Sequence, residues 1–343
     1  MVTQYDAILV VSFGGPEGPD DVIPFLTNVL RGRNVPPERM AEVATHYDQF
    51  GGVSPINQHN RDLIAALEKA LEESGPSLPI YWGNRNWHPM LEDTIRKMRD
   101  DGIKNALAFV TSAYGSYSGC RQYRENIEDA RSKVGDGAPQ IEKLRLFFNH
   151  PGFVTANVEH LSKALYQLDK ERRKKSKVVF SAHSIPTSMA DGCGYEKQLR
   201  ETGRLICEQV NHDDWELVFQ SRSGPPTQPW LVPDICDYLK ELKDKGYSDV
   251  VVQPIGFICD HLEVIFDIDT QAKELSQEIG LNMIRAATAG THPAFIAMIR
   301  DLIKEKTDGE QPKSLGEFGL TEGQCSTTCC PAAQRPAPAV LPG

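Results

Sequence analysis

The chain has 343 residues, of which 40% are hydrophobic and 24% are charged, and this composition excludes a disordered or collagen-like protein. The length exceeds the size at which one hydrophobic core usually stops growing, so we expect two domains with a cleft between them. The formal net charge of -10 argues against nucleic acid and against an anionic membrane surface as the main partner, because both bind a basic face.

No apolar run in the sequence approaches the roughly 20 residues that a membrane-spanning helix requires. The first residues, MVTQYDAILVV, lack the basic region and the small-residue cleavage site of a signal peptide. We therefore expect a cytoplasmic protein without stable membrane insertion, whose partner is a small molecule.

Short, apolar, β-branched runs alternate with longer amphipathic stretches, which is typical of βα units that form a parallel sheet. The pattern predicts strands at residues 7–12, 78–83, 106–112, 144–148, 177–183, 216–221, 249–255 and 282–286. It predicts helices at residues 60–73, 91–101, 195–210 and 232–245. The strands divide evenly about a junction near His150, so we predict an α/β fold in which a similar set of elements occurs twice.

This division predicts an N-terminal domain over residues 1–150 and a C-terminal domain over residues 151–292. A further helical stretch at residues 293–306 is expected to pack back across the body of the protein. Residues 307–343 are predicted to form a separate, cysteine-containing tail.

Polar side chains occur where several predicted strands end, namely Ser12, Ser112, His183 and Ser221. In open α/β sheets, ligands bind beyond the carboxyl ends of the strands. We therefore expect His183 to project into the cleft, where an imidazole can act as a base near neutral pH or as an initial metal ligand. The alternative is a structural histidine that is satisfied by hydrogen bonds.

Two carboxylates, Glu263 and Asp267, stand four residues apart in the stretch DHLEVIFD. On a helix they share one face, which suits a divalent cation or a line of proton acceptors. A solvated acidic helix face has the same spacing and is the alternative interpretation.

Several donors are candidates for binding the carboxylates of an anionic ligand: Arg31, Arg33, Ser54 and Tyr123. Arginines exposed to solvent without a ligand are the alternative. The sequence contains neither a GxGxxG motif after the first strand nor a P-loop, so a nucleotide-dependent enzyme is disfavoured.

Three of the eight cysteines, Cys325, Cys329 and Cys330, lie within six residues near the C-terminus. Clustered thiols in a reducing compartment are candidate metal ligands, because a disulfide framework is not expected there.

Several stretches together resemble ferrochelatase: LVVSFGGPEGP, GGVSPIN, GNRNWHP, FSAHSIPTSM, VFQSRSGPP and PIGFICDHLEVIFDID, followed by the tail cysteines. The resemblance covers about residues 5 to 306 in colinear order. It implies two Rossmann-like domains around a porphyrin cleft and an enzyme of haem biosynthesis that inserts Fe²⁺ as a substrate. The likeness to actinobacterial members favours coproporphyrin III as the porphyrin.

The resemblance also assigns roles to individual residues. His183 and Glu263 correspond to the catalytic pair that handles the protons and the incoming Fe²⁺. Ser54, Tyr123 and Arg31 correspond to porphyrin contacts. Phe13 stands where many soluble relatives have a tyrosine that can ligate the product iron, and Gln271 stands where some relatives extend the acidic series.

Cluster-bearing members of this family imply a 2Fe-2S cluster on the three tail cysteines and one internal cysteine. The expected internal ligand is Cys193, in the loop after SAHSIP, and Cys120 in YSGCRQY is the competing candidate. A zinc site on the same thiols is a further alternative.

Three other functions remain open at this point. The enzyme could act on protoporphyrin IX, or insert another metal such as Co²⁺, or the cleft could belong to a carrier that binds porphyrin without metalating it. We expect a monomer whose possible protein partners are other enzymes of the haem pathway.

Overall fold

The computed structural model describes residues 4–32, 36–225, 227–321 and 325–332. Two four-stranded parallel sheets form its framework. The first has the strand order β2-β1-β3-β4, with β1 (Ala7–Ser12), β2 (Ile80–Asn84), β3 (Asn105–Val110) and β4 (Gln140–Lys143). The second has the order β6-β5-β7-β8, with β5 (Lys177–His183), β6 (Trp215–Gln220), β7 (Asp249–Gln253) and β8 (Asn282–Arg285). The two sheets therefore share one topology, and the predicted two-sheet α/β fold is confirmed.

Helices cover both faces of each sheet. Around the first sheet these are α1 (Pro19–Val29), α2 (Pro37–Asp48), α3 (Ile56–Ser74), α4 (Leu91–Asp100), the short π-helix π1 (Tyr117–Arg121) and α5 (Gln122–Val134). Around the second they are α6 (Pro151–Leu165), α7 (Lys170–Lys175), α8 (Thr187–Ala190), α9 (Tyr195–Val210), α10 (Ile235–Asp244), α11 (Leu262–Val264), the π-helix π2 (Ile265–Ala272) and α12 (Lys273–Glu278). The last helix, α13 (Pro293–Thr307), packs against α3 and α6.

Alternating strand residues supply different cores, because successive side chains of a strand point to opposite faces of the sheet. In β1, Ile8 belongs to a large central core, whereas Leu9 belongs to a second core that includes residues of α4 and α5. In β5, Phe180 belongs to the same central core as Ile8, and Val179 faces a core that includes residues of α10. One continuous apolar core therefore includes residues of both sheets.

The predicted strand at residues 144–148 is wrong. The fourth strand of the first sheet is Gln140–Lys143, which pairs with β3 and is only partly buried. Residues 144–148 are buried without forming a strand, and Phe147 and Phe148 pack into the central core. Their apolar character therefore reflects burial of a connecting segment rather than strand pairing, and an edge strand such as β4 needs less apolar sequence.

Among the helices of the described residues, none is long and apolar enough to cross a membrane.

Candidate active site

His183 is the last residue of β5, one of the two central strands of the second sheet. Its Nε2 atom lies 3.7 Å from Oε2 of Glu263, and the two side chains are 32% and 48% exposed. The structure thus brings together the two residues that the sequence predicted as a pair. Because both are partly exposed, a ligand can reach them from solvent.

The backbone fixes which nitrogen of His183 is available. Nδ1 is hydrogen-bonded to the carbonyl oxygen of Ser184, and a carbonyl can only accept. Nδ1 therefore carries the proton in the neutral ring, and Nε2 presents its lone pair toward Glu263. The hydroxyl of Tyr195, which is buried, donates to the carbonyl of His183 over 3.1 Å and anchors the end of the strand.

Glu263 lies in the single turn α11, which continues directly into π2. Nδ1 of His261 caps this turn by accepting a hydrogen bond from the Glu263 backbone N–H over 3.2 Å. The Glu263 carbonyl and one carboxylate oxygen of Asp267 both accept hydrogen bonds from the amide of Gln220, each over 3.3 Å. Asp267 lies in π2, and π-helical turns within helices occur frequently at functional sites.

Asp267 is a carboxylate in a poorly solvated place. Burial raises the pKa of Asp267 to about 6, and the nearby charge of Glu263 acts in the same direction. The hydroxyl of Ser221 donates to the Asp267 carboxylate and opposes this shift. With this pKa, the protonated and ionised forms of Asp267 are about equally populated near pH 6.

Elements near the first sheet approach the same region. Phe25 and Tyr47, from α1 and α2, form an apolar cluster that also contains Leu262, the neighbour of Glu263. The ring of His46 stacks on Phe266 with 3.9 Å between centroids. Burial, with a smaller contribution from the charge of Glu263, raises the pKa of the Tyr47 phenol. The helices α1 and α2 are thus one boundary of the site, and α11 with π2 is the other.

Arg85, which the sequence analysis missed, lies just beyond the end of β2. Its guanidinium carbon stands 4.5 Å from the ring centroid of Tyr123 and 5.7 Å from that of Phe13. Its Nε donates to Asn126 over 2.6 Å, and no carboxylate of the described residues forms an ion pair with it. The stretch GNRNWHP contained this arginine, but a single arginine carries no periodic signal.

The other residues that the sequence predicted to contact a ligand differ in their exposure and in their hydrogen bonds. Tyr123 and Ser54 are each only 5% exposed, and the Ser54 backbone N–H donates to the Pro16 carbonyl. Arg31 is exposed and donates to Asn28. No hydrogen bond or ion pair within the described ranges joins Arg31 or Ser54 to the His183–Glu263 pair, and Arg33 lies outside those ranges.

The cysteines of the tail lie against π1 and α5. The guanidinium of Arg124 donates to the carbonyls of Cys325 and Ser326 over 3.0 and 3.2 Å, and that of Arg121 donates to the Cys329 carbonyl over 3.4 Å. A Cβ atom on Gly192 would stand 2.6 Å from the Pro331 ring. The tail therefore also reaches the loop that contains Cys193.

Five thiols interact electrostatically in this region. Burial raises the pKa of Cys330 to about 12, and Cys329, Cys120, Cys193 and Cys325 each raise it further. Burial also raises the pKa of Cys325, with contributions from Cys329 and Cys120. All are free thiols, and no set of three or more His, Cys, Asp or Glu side chains in the described ranges is arranged to hold a metal ion.

Comparison with known proteins places these features in a family. Residues 5–307 match ferrochelatase. The chain is 56% identical over 329 residues to a protein of Rhodopirellula baltica named ferrochelatase, covering 95% of this chain and 93% of that protein. It is 50% identical over 361 residues to the coproporphyrin III ferrochelatase of Streptomyces coelicolor, covering 98% and 96% of the two chains. For the protein of the same name from Nocardia farcinica, the identity is 49% over 347 residues, with coverage of 97% and 99%.

Solved structures show the same fold at low sequence identity. SirB from Bacillus subtilis, solved with Fe³⁺, superimposes with a TM-score of 0.54 at 14% identity, covering 90% of this chain and 98% of SirB. The sirohydrochlorin chelatase SirB from Bacillus subtilis subspecies spizizenii, solved with cobalt, gives a TM-score of 0.52 at 13% identity, covering 89% and 97%. These likenesses establish a chelatase-like arrangement of two sheets and their helices.

Proposed function

Because the chain belongs to the ferrochelatase family and is therefore a metal chelatase of the lyase class, we propose that its reaction is insertion of Fe²⁺ into coproporphyrin III. The observation that carries the proposal is the pairing of His183 Nε2 with the Glu263 carboxylate at the carboxyl end of β5. Support for this porphyrin comes from relatives at 49% and 50% identity that are named coproporphyrin III ferrochelatases.

His183 is the proposed proton acceptor. Insertion of one Fe²⁺ ion into a free porphyrin releases two protons from the pyrrole nitrogens, so a base beside the macrocycle assists the reaction. The Nε2 lone pair is available for this task because Nδ1–H is already bonded to the Ser184 carbonyl. The side chain is 32% exposed, so a proton taken up by His183 can pass on to water.

Glu263 has two roles in this proposal. Its negative charge stabilises the imidazolium form of His183 after proton transfer. Its carboxylate oxygens, together with the imidazole nitrogen, are suitable ligands for a divalent transition metal before insertion. Glu263 is 48% exposed, and no ion pair of the described residues joins it to a lysine or an arginine, so it can bind the incoming Fe²⁺ without releasing such a cation.

The porphyrin is proposed to lie between the elements that carry Phe13, Tyr123 and Arg31 and the His183–Glu263 pair. Phe13 supplies an apolar ring, which packs edge-on against Phe25 at 6.2 Å, and it cannot coordinate iron. Arg85, beside Phe13 and Tyr123 and without an acidic partner in the described structure, adds a donor for a propionate. Ser54 borders this region, because a Cβ atom on Gly15, in the loop that follows Phe13, would stand 2.7 Å from the Ser54 side chain.

Metal insertion with purified protein tests the proposal. Anaerobic assays with Fe²⁺ should show faster metalation of coproporphyrin III, which has four propionates, than of protoporphyrin IX, which has two. His183→Ala should lose turnover while still binding porphyrin, and the matched control His160→Ala, in α6, should keep it. Preference for protoporphyrin IX would overturn the substrate assignment. Binding without metalation by the wild type would indicate a carrier.

We further propose that the chain carries a 2Fe-2S cluster held by Cys193, Cys325, Cys329 and Cys330. Thiolates are the ligands of such clusters, and the raised pKa of Cys330 reflects burial next to other thiols, a situation that a bound metal relieves. Cys120 is an alternative internal ligand, because it influences the pKa of both Cys325 and Cys330. The cluster would either transfer electrons or stabilise the folded tail.

Serine substitutions distinguish the ligand sets. The purified protein should contain iron and sulfide and be reddish-brown, and serine at Cys325, Cys329 or Cys330 should remove the colour. Cys193→Ser should do the same, whereas Cys120→Ser should not. The reverse result for these two would assign Cys120 instead. Cys207→Ser and Cys236→Ser are controls, and a colourless protein that contains zinc would contradict the cluster.

A cytoplasmic location and a monomeric enzyme remain predictions from the sequence. Cell fractionation and size-exclusion chromatography test them.

A further inference from the structure

Gln220 is the last residue of β6 and pairs in register with His183 on β5. It is 1% exposed, so each of its polar atoms requires a partner inside the protein. Its Oε1 accepts a hydrogen bond from the Ser181 hydroxyl over 2.9 Å. The amide is therefore fixed at one end by the strand that also carries His183.

The nitrogen of the amide contacts α11 and π2. Nε2 of Gln220 donates to the carbonyl of Glu263 and to the carboxylate of Asp267. Both partners can only accept when Asp267 is ionised, so the amide cannot be reversed without losing these bonds. Gln220 thus connects β5 to the start of π2 through one buried side chain.

The next residue, Ser221, reinforces this connection. Its backbone φ is +61°, a left-handed conformation that a non-glycine residue adopts at a cost. In this conformation its hydroxyl donates to the same Asp267 carboxylate oxygen that Gln220 contacts. Two consecutive residues therefore hold π2 against the end of β6.

Among the described residues, no hydrogen bond of this kind holds the Glu263 side chain itself. It is 48% exposed, and Nε2 of His183 lies 3.7 Å from its carboxylate. Its position therefore depends on its backbone, which is held at the N–H by His261 and at the carbonyl by Gln220. A shift of that carbonyl would move the carboxylate relative to His183 Nε2.

We propose that Gln220 and Ser221 are positioning residues for metal insertion, which hold the backbone of Glu263 so that its carboxylate faces His183. The proposal rests on the proposed function of the His183–Glu263 pair. It assigns to the stretch VFQSRSGPP a part in the reaction that involves no contact with substrate.

Gln220→Met removes the hydrogen bonds and nearly preserves the volume of the side chain. We expect roughly tenfold lower kcat and a higher KM for Fe²⁺, with a porphyrin Kd within about twofold of the wild type. Gln253→Met is the matched control. Gln253 is an equally buried amide at the end of β7, and its Nε2 donates to Asn157. It should lose stability to a similar extent and keep kcat. Equal effects of the two substitutions on kcat would overturn the proposal.

Ser221→Ala should change the kinetics in the same direction to a smaller extent, and Ser221→Gly, which favours the left-handed backbone but lacks the hydroxyl, should do the same. In a Glu263→Gln background, Gln220→Met should cause no further loss of kcat, because it acts through Glu263. Additive losses would contradict the proposal.

Crystal structures of the wild type and Gln220→Met separate this inference from the proposed function. A His183–Glu263 separation that is unchanged in Gln220→Met would overturn the positioning role. A changed separation with unchanged turnover would support that role and contradict the function of the pair.

Discussion

Glu263 has a half-exposed carboxylate that lies 3.7 Å from Nε2 of His183. Because its side chain is 48% exposed, replacing it removes charge rather than buried packing. We predict that Glu263→Gln lowers kcat about 100-fold, a loss typical of a missing acid–base group, while the free energy of unfolding changes little. Steady-state assays and urea unfolding measure both. Glu274→Gln, an exposed position on α12, is the control, and wild-type turnover in Glu263→Gln would place the metal path elsewhere.

Asp267 predicts a pH dependence of stability. Its pKa is raised to about 6 in the folded protein, mainly by burial, compared with about 3.9 in an unfolded chain. Between these pH values the folded state binds more protons at this site, so the free energy of unfolding falls as the pH rises. We therefore expect the free energy of unfolding of Asp267→Asn, compared with that of the wild type, to increase as the pH rises from 4 to 7. Urea midpoints measure this difference. Asp244→Asn, an exposed position on α10, should show no such gain, and a constant difference for Asp267→Asn would contradict the raised pKa.

At the scale of elements, the sequence predicted the regular parts of the fold well. Strands β1 and β5 and helix α9 have the predicted bounds, because apolar periodicity within one element is a local property. Residues 144–148 were predicted wrongly, because a buried connection has the same composition as a strand. The π-helix that contains Asp267 was not predicted, since its extra residue per turn leaves no distinct pattern.

The contact of Arg124 with the tail leads to a prediction about order in that segment. Arg124 donates to the carbonyls of Cys325, Ser326 and Thr327, and hydrogen bonds from a charged donor are stronger than those from a neutral one. We expect Arg124→Ala to accelerate amide hydrogen exchange in residues 325–332 by at least about tenfold in metal-free protein, with little change elsewhere. Mass spectrometry measures this exchange.

Arg131 provides the matched control on the same helix. Its Nε also donates to a carbonyl, that of Pro139, over 2.7 Å, and no hydrogen bond in the described part of the chain joins it to residues 325–332. Arg131→Ala should leave exchange in residues 325–332 unchanged. If both substitutions accelerated it equally, a general effect on α5 would explain the result and the tail contact would not.

At the scale of the whole molecule, the sequence could not show which elements meet. The duplicated βα pattern predicted two sheets, but Leu262 packing with Phe25 joins residues more than 200 positions apart, and such contacts leave no local signal. The same holds for Gln220 and Arg85. Their roles depend on partners that only the tertiary structure brings near, whereas His183 and Glu263 stood in motifs specific enough to find.

The last helix is joined to the centre of the chain by a buried ion pair. Arg145, in the connection that follows β4, forms a two-point interaction with Glu305 of α13 over 2.8 and 2.7 Å. The side chains are only 6% and 7% exposed. Arg145 also donates to the Lys313 carbonyl over 2.8 Å, so this one side chain binds both α13 and the segment that leads to the tail.

Removing one partner of this pair should destabilise the protein strongly, because the other charge stays buried without compensation. Arg145→Met is expected to lower the free energy of unfolding by about 3 to 5 kcal/mol, as measured by urea unfolding. The double variant Arg145→Met/Glu305→Leu should recover most of that loss, since no buried charge remains. The same experiment on the exposed pair Lys97 and Asp101, at the C-terminal end of α4, should leave the free energy of unfolding nearly unchanged. If Arg145→Met were as mild as the surface variants, α13 would not depend on this pair for its attachment.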